Sequence, residues 1–202
     1  ISPFGVGNST FRTGSDKPIE VDTVFGGCYR RSVFEKIGFL NENLVSSSDI
    51  EFNIRLKRAG GKIFLFPDII ATYYTRTSFK KFVKNNFRNG FWAIYPLRFV
   101  NYMPVSFRHF IPLFFVLGIL GLTFLSIFSS SFLIILLIVM SIYFFLGIFF
   151  SLKYVKGNLL NWFLPPVFFF LLHISYGIGS LYAFCAILFS NITKSKSKTG
   201  NV

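Results

Sequence analysis

"SSDIEFNIRLKRAGG", residues 47–61, opens on serines and two acids and closes on a basic run and two glycines. Ile50, Ile54, Leu56 and Ala59 supply an apolar stripe, so a helix is expected from the serines to Gly60 and Gly61. Ser48 and Glu51 have the S-x-x-E spacing of a capping box, and Asp49 adds negative charge to the first turn, where the helix dipole favours it. The chain holds 21 Lys and Arg against 8 Asp and Glu, yet two of its few acids stand here together. Two acids at a helix start satisfy backbone donors and complement the dipole, although one would suffice for capping.

Upstream, "VDTVFGGCYRRSVFEKIGFLNENL", residues 21–44, begins with a short β-prone run over residues 21–25. Gly26 and Gly27 then permit a turn or a close backbone approach. In "RRSVFEKIG", Ser32 and Glu35 have capping-box spacing and Gly38 is placed to end a helix. Downstream, "KIFLF" predicts a strand that Pro67 closes. Strand, turn, helix, loop, helix, strand is an α/β order.

Beyond residue 110 the pattern changes. Residues 111–128, 131–150 and 163–189 form three long apolar runs without Asp, Glu, Lys or Arg. About 20 apolar residues cross the roughly 30 Å hydrocarbon core, so each run is long enough to span a membrane. Ser129 and Ser130 leave room only for a tight hairpin between the first two. Arg98 and Arg108 before the first run, and Lys153 and Lys156 after the second, place both flanks of the hairpin in the cytoplasm. Pro165 and Pro166 leave kinking or re-entry open for the third run. Its length favours a full tilted span, which would put Lys194, Lys196 and Lys198 outside. His173 within it is either an intramembrane functional group or an interface residue bonded to Ser175 and Tyr176. Between the two halves, Phe79, Phe82, Val83 and Phe87 alternate with Lys80, Lys81, Lys84 and Arg88. That pattern fits an amphipathic helix lying on a membrane surface or packed on the domain, with Gly90 as its stop. The expected organisation is residues 1–75 as a soluble part, 76–110 as an interfacial linker, 111–189 as membrane helices and 190–202 as a basic polar tail.

With 52% hydrophobic residues and 30 Phe, the chain is not disordered. Its net charge of +13 admits nucleic acid, anionic lipid or a phosphorylated substrate as partner. The apolar runs favour anionic membrane lipid, and no nucleic-acid-binding pattern accompanies the charge. Cys28 and Cys185 lie on opposite sides of the composition boundary and are read as free thiols in a reducing compartment.

The order of these parts resembles the acceptor-side half of a family-2 glycosyltransferase with the GT-A fold. There an "E-D-x-D-L-x-x-R-L-x-x-A-G" segment carries the catalytic base, and here it reads Ser48-Asp49-Ile50-Glu51-Phe52-Asn53-Ile54-Arg55-Leu56-Lys57-Arg58-Ala59-Gly60. Ser48 stands for Glu and Glu51 for Asp, while Asp49 is kept. The likeness is closest to membrane-attached members that make exopolysaccharides, of the succinoglycan glucosyltransferase type. It rests on residues 2–7, 11–14, 21–31, 49–61 and 173–180, in order, and covers nearly the whole chain. In the Q-x-x-R-W-type segment, Asn85 replaces Gln and Asn89 replaces Trp around Arg88, so the residues of processive synthesis are incomplete.

The resemblance implies a partial GT-A α/β domain followed by transmembrane helices. It implies inverting transfer of a sugar from a nucleotide sugar to a lipid-linked or polysaccharide acceptor. Asp49 would be the general base, kept ionised by helix-end donors and by Arg30, Arg31 or Arg55. Gly26, Gly27, Cys28, Arg55 and Arg88 would bind acceptor. The soluble part would face the cytoplasm at an inner (plasma) membrane. A divalent metal, Mg or Mn, would serve the full-length enzyme through a D-x-D segment absent from this chain, and Asp49-Ile50-Glu51 is not read as that segment. The first residue is Ile and no diphosphate motif appears, so the chain is expected to be a C-terminal piece, inactive alone. A different class fits the composition too: a non-catalytic membrane assembly component, or an export or transporter component, of polysaccharide biosynthesis. It leaves the Asp49 segment unexplained.

Overall fold

The structure, a computed structural model, describes residues 15–24, 26–70, 72, 78–103, 105–154 and 159–199; side chains are described as far as Leu152 and from Trp162 to Ser190. The motifs at residues 2–7 and 11–14, Phe25 of the first β-prone run, and the side chains of Lys153, Lys156 and the tail lysines lie outside what is described.

The soluble part is built around α2, Ser48–Arg58. Phe52 is fully buried on it. The Tyr29 ring meets Phe52 edge-on at 4.8 Å and the Phe34 ring lies tilted at 5.2 Å, so α1, Arg31–Ile37, is held against α2 by aromatic packing. Behind them β1, Ile19–Glu20, pairs antiparallel with β2, Phe64–Leu65, in the register Ile19 to Leu65 and Glu20 to Phe64. Val21 extends the pairing by donating to the Ile63 carbonyl at 2.9 Å. Val21, Leu56 and Ile63 close a small core between sheet and helices.

Several local expectations change. The first strand forms one step before the run at residues 21–25, because Val21 turns inward to the core. Neither expected capping box forms: no side-chain cap hydrogen bond starts α1 or α2, whose N-caps are Arg30 and Ser47. Glu35 instead pairs with Arg31 at 3.2 Å on an exposed face, and Glu51 is drawn into the interior. Gly38, with φ of 79°, does end α1. Among the described residues the chain is mostly helical, with two short strands.

The remaining helices are α3 (Phe79–Ile94), α4 (Ile111–Leu125), α5 (Ser130–Tyr154) and α6 (Leu159–Thr199), with short 3-10 turns at Tyr95–Arg98 and Phe107–Phe110. Among the described residues, three stretches are long and apolar enough to cross a membrane: Phe107–Leu125, Ser130–Leu152 and Trp162–Ser190. The tight turn expected at Ser129 joins α4 to α5. Pro165 and Pro166 do not break α6, which runs through both. Gly90 does not end α3. It is buried inside the helix, and a Cβ there would lie 1.9 Å from the Tyr176 carbonyl oxygen on α6. Gly179 answers it, since its Cβ would lie 2.1 Å from the Phe87 carbonyl oxygen. Two glycines thus let the backbones of α3 and α6 touch, and Ser180 Oγ donates across the contact to the Gly90 carbonyl at 3.0 Å. Ala93, Ile94, Val105, Phe110, Leu113 and Ala183 form a second core, on which Ile50 of α2 packs.

Candidate functional site

Asp49 and Glu51 are two residues apart on α2, and a helix turns about 200° over two residues. They therefore meet opposite environments. Glu51 is fully buried. It accepts from Arg55 Nε at 2.6 Å and from Arg55 Nη2 at 3.1 Å, and the Tyr102 hydroxyl donates to it in a short hydrogen bond. Arg55 spends its other donors on the Ile37 carbonyl at 2.5 Å and the Phe39 carbonyl at 2.7 Å. A buried carboxylate is tolerated because a guanidinium and a phenol both donate to it. Burial, and then the bond to Glu51, push the Tyr102 hydroxyl up to about 12. The guanidinium of Arg58 covers the Tyr102 ring, 4.7 Å from its centre.

Asp49 is exposed at the opening turn of the same helix, and no hydrogen bond or ion pair engages it among the described residues. Its negative charge contributes, after burial, to raising the Tyr29 hydroxyl above its ordinary value. Tyr29 Oη donates to Asn53 Oδ1 at 2.6 Å, and Asn53 Nδ2 donates to Thr23 Oγ1 at 2.8 Å. Asn53 is completely buried and follows Asp49 by one helical turn. A Cβ on Gly27 would lie 2.7 Å from Tyr29 Oη. The chain through Thr23, Asn53 and Tyr29 thus brings the turn at Gly26, Gly27 and exposed Cys28 beside α2, whose first turn carries Asp49.

The other expected site residues are placed elsewhere. Arg55, on the same helix, is engaged by Glu51 and two carbonyls. Arg88 is exposed on α3, and its described hydrogen bond, 3.5 Å to Asn85 Oδ1, stays within that helix. Arg31 pairs with Glu35. His173 bonds through Nδ1 to the Tyr143 hydroxyl at 2.7 Å, whereas Ser175 turns back to the Leu171 carbonyl of its own helix. Tyr29, Asn53, Thr23 and Tyr102 were not singled out from the sequence. Asn53 carried a signal, as a polar residue directly after Phe52 on the inward side of a helix.

The described residues do not fit a divalent metal. They contain no cluster of three His, Cys, Asp or Glu side chains. Glu51 is enclosed by Arg55 and Tyr102, and Asp22 is held by Lys57 Nζ at 2.5 Å. A shallow hollow of about 240 Å³ lies at the other end of α2, among Val33, Lys36, Leu56 and Gly61, away from Asp49.

Comparison with known proteins gives the chemistry a class. No family model matches the chain, and no solved structure matches it. Over 70 residues it is 34% identical to the dolichyl N-acetyl-alpha-D-glucosaminyl phosphate 3-beta-D-2,3-diacetamido-2,3-dideoxy-beta-D-glucuronosyltransferase of Methanococcus voltae. This chain is similar to a glycosyltransferase. The match takes in 34% of the chain and 22% of that relative's length. With three helices fit to cross a membrane, the similarity supports a membrane glycosyltransferase in general.

Proposed function

We propose that the chain is the acceptor-side part of an inverting family-2 glycosyltransferase with a partial GT-A fold. It is anchored in the plasma membrane with its soluble part in the cytoplasm, where nucleotide sugars are made. The reaction moves a sugar from a nucleotide sugar to a lipid-linked or polysaccharide acceptor. The observation that carries this reading is the contrast within α2: Glu51 is fully committed to Arg55 and Tyr102, while Asp49 is exposed at the helix start. A general base must be reachable by the hydroxyl it deprotonates, and Asp49 is exposed where Glu51 is enclosed.

In the step proposed, the Asp49 carboxylate takes the proton of an acceptor hydroxyl. The freed oxygen pair bonds to the anomeric carbon. The bond from that carbon to the nucleoside diphosphate breaks, and its electron pair leaves on the diphosphate oxygen. Attack from the face opposite the leaving group inverts the centre. Tyr29, Asn53 and Thr23 fix the turn at Gly26, Gly27 and Cys28 beside the base, which makes that turn the acceptor wall. Arg55 acts through Glu51, by holding α2, and does not touch acceptor.

Asp49→Asn in the active protein tests the reading. Turnover should fall by about a hundredfold or more, the scale of a lost general base, with donor affinity nearly intact. Turnover close to the parent's would remove Asp49 from the chemistry and leave it as a charge that complements the helix start.

A further inference from the structure

By length and hydropathy, Trp162–Ser190 can cross a membrane. Its contacts place it differently. On α4, a Cβ at Gly177 would lie 2.2 Å from the Pro112 carbonyl oxygen and 2.5 Å from the Val116 side chain. The Phe115 ring lies 5.9 Å from that of His173 and 6.2 Å from that of Phe170. On α5, a Cβ at Gly147 would lie 3.1 Å from the Pro166 ring, and Phe144 meets Phe170 at 5.7 Å. Every one of these partners belongs to the half of α4 or α5 nearer the soluble part. Toward the turn, Leu120, Phe124, Leu133, Ile134, Leu137 and Ile138 are exposed. Helix α6 therefore crosses the base of the hairpin and does not follow it to its tip. From Tyr176 to Ala183 it also lies on Phe87, Gly90 and Ala93 of α3 and on Val105, residues that precede the first span, and Ile50 of α2 packs on the same cluster.

Charge supplies an independent argument. Helix α3 accompanies α6 from the edge-on contact of Phe82 with Phe168 at 5.5 Å to the cluster of Ala93 with Ala183. Lys84 and Arg88 are exposed on this stretch, beside the middle of Trp162–Ser190. No ion pair engages either one among the described residues. A full span would carry both cations toward the centre of the hydrocarbon, where such groups are among the most costly. In the headgroup layer the same cations meet lipid phosphates.

We propose that α6 does not carry the chain across the membrane. The α4–α5 hairpin is the two-pass anchor. Helices α3 and α6 lie together in the headgroup layer of the leaflet facing the soluble part, where Lys80, Lys81 and Lys84 bind anionic lipid. The exposed Phe163, Leu164, Val167, Phe184 and Leu188 of α6 enter the acyl boundary of that leaflet. The tail with Lys194, Lys196 and Lys198 then lies on the same side as α2, as the positive-inside rule requires of both.

The test is single-cysteine labelling in sealed membrane vesicles of known orientation, using an impermeant maleimide and a Cys28→Ser, Cys185→Ser background. Reporters are Ser197→Cys in the tail, Glu42→Cys in the soluble part and Ser129→Cys in the hairpin turn. The tail reporter should label with Glu42→Cys and oppositely to Ser129→Cys. Labelling together with Ser129→Cys overturns the proposal. If the background fails to insert, trypsin on vesicles of the unsubstituted protein replaces it: tail peptides must appear from the same orientation as peptides cut at Lys57 and Lys62, and release from the opposite orientation overturns the proposal. The lipid contact is read in nanodiscs with and without phosphatidylglycerol. Anionic lipid should raise the melting temperature of the parent more than that of Lys80→Gln, Lys81→Gln, Lys84→Gln, and equal rises remove those lysines from lipid binding.

Discussion

Glu51 shows how a single carboxylate can look like one device in sequence and serve as another in the fold. Three residues after Ser48 it has the spacing of a capping partner, yet its side chain is almost fully enclosed and paired with Arg55 at 2.6 Å. Removing one member of a buried pair strands the other, at a cost of about 3 kcal/mol or more. Glu51→Ala should therefore lower the melting temperature strongly, whereas Ser48→Ala, which loses no cap bond, should change stability by about 0.5 kcal/mol or less. Thermal melts of the two variants in one detergent check the contrast, and similar shifts would restore capping as the role of this segment. Tyr102 adds a pH signature. Its hydroxyl is raised from 10.0 to about 12 in the fold, so the folded state favours the protonated form. That contribution is complete below the unfolded value and is lost as pH rises from roughly 10 through about 12. The parent should lose stability over this window, and Tyr102→Phe should lose less over the same window while starting lower by about 1.5 kcal/mol for the missing charged hydrogen bond. Parallel alkaline profiles for parent and variant would remove Tyr102 from the titration.

At the scale of elements, the glycines in "SYGIGS", residues 175–180, set the architecture. Gly177 faces Pro112 and Val116 of α4, and Gly179 faces Phe87 of α3, so two neighbouring small residues dock two different helices. The existence of α1, α2, α3 and the three apolar helices was legible from periodicity, because each carries its apolar residues at helical spacing or in an unbroken run. What Gly90 does was not legible. A glycine after an amphipathic run reads as a stop, and only the arrival of Tyr176 from a segment 86 residues later in the chain makes it a contact point. The same holds for Asp49 and the Gly26–Gly27 turn: each was visible alone, but Tyr29 and Asn53, which join them, act through a tertiary hydrogen bond that spacing does not encode. Gly90→Ala provides the test. Intrinsic propensity alone would stabilise a helix interior by about 1 kcal/mol. Here the added methyl meets backbone, so overpacking should make the change destabilising by about 1 to 3 kcal/mol. Gly118→Ala, at a site with nothing within 4 Å, should be neutral or stabilising. If both variants gain stability, the close crossing of α3 and α6 does not exist in the protein.

For the whole molecule, the consequence is that the soluble part and the C-terminal helix are not independent. Ile94 is fully buried in a cluster completed by Ala183, and that cluster is where Ile50, the residue after Asp49, makes its apolar contact. The composition boundary near residue 110 divides the sequence by solvent, but the packing joins the two sides where α3 meets α6. A chain ended after Phe189 keeps every residue of this cluster. A chain ended after His173 loses Tyr176, Gly177, Gly179, Ser180 and Ala183 together, leaving Ala93, Ile94 and Val105 uncovered. The second truncation should therefore loosen α3 even though it retains the α4–α5 anchor. Limited trypsin digestion reads this directly, since Lys80, Lys81, Lys84 and Arg88 are exposed on α3 and are protected only by the helix being held in place. Cleavage at these sites should be at least about tenfold faster in the His173 truncation than in the Phe189 truncation, the rate effect of roughly 1.4 kcal/mol in local opening. Equal rates would mean that α3 is held by the soluble part alone, and that the shared cluster does not couple the proposed base to the membrane helices.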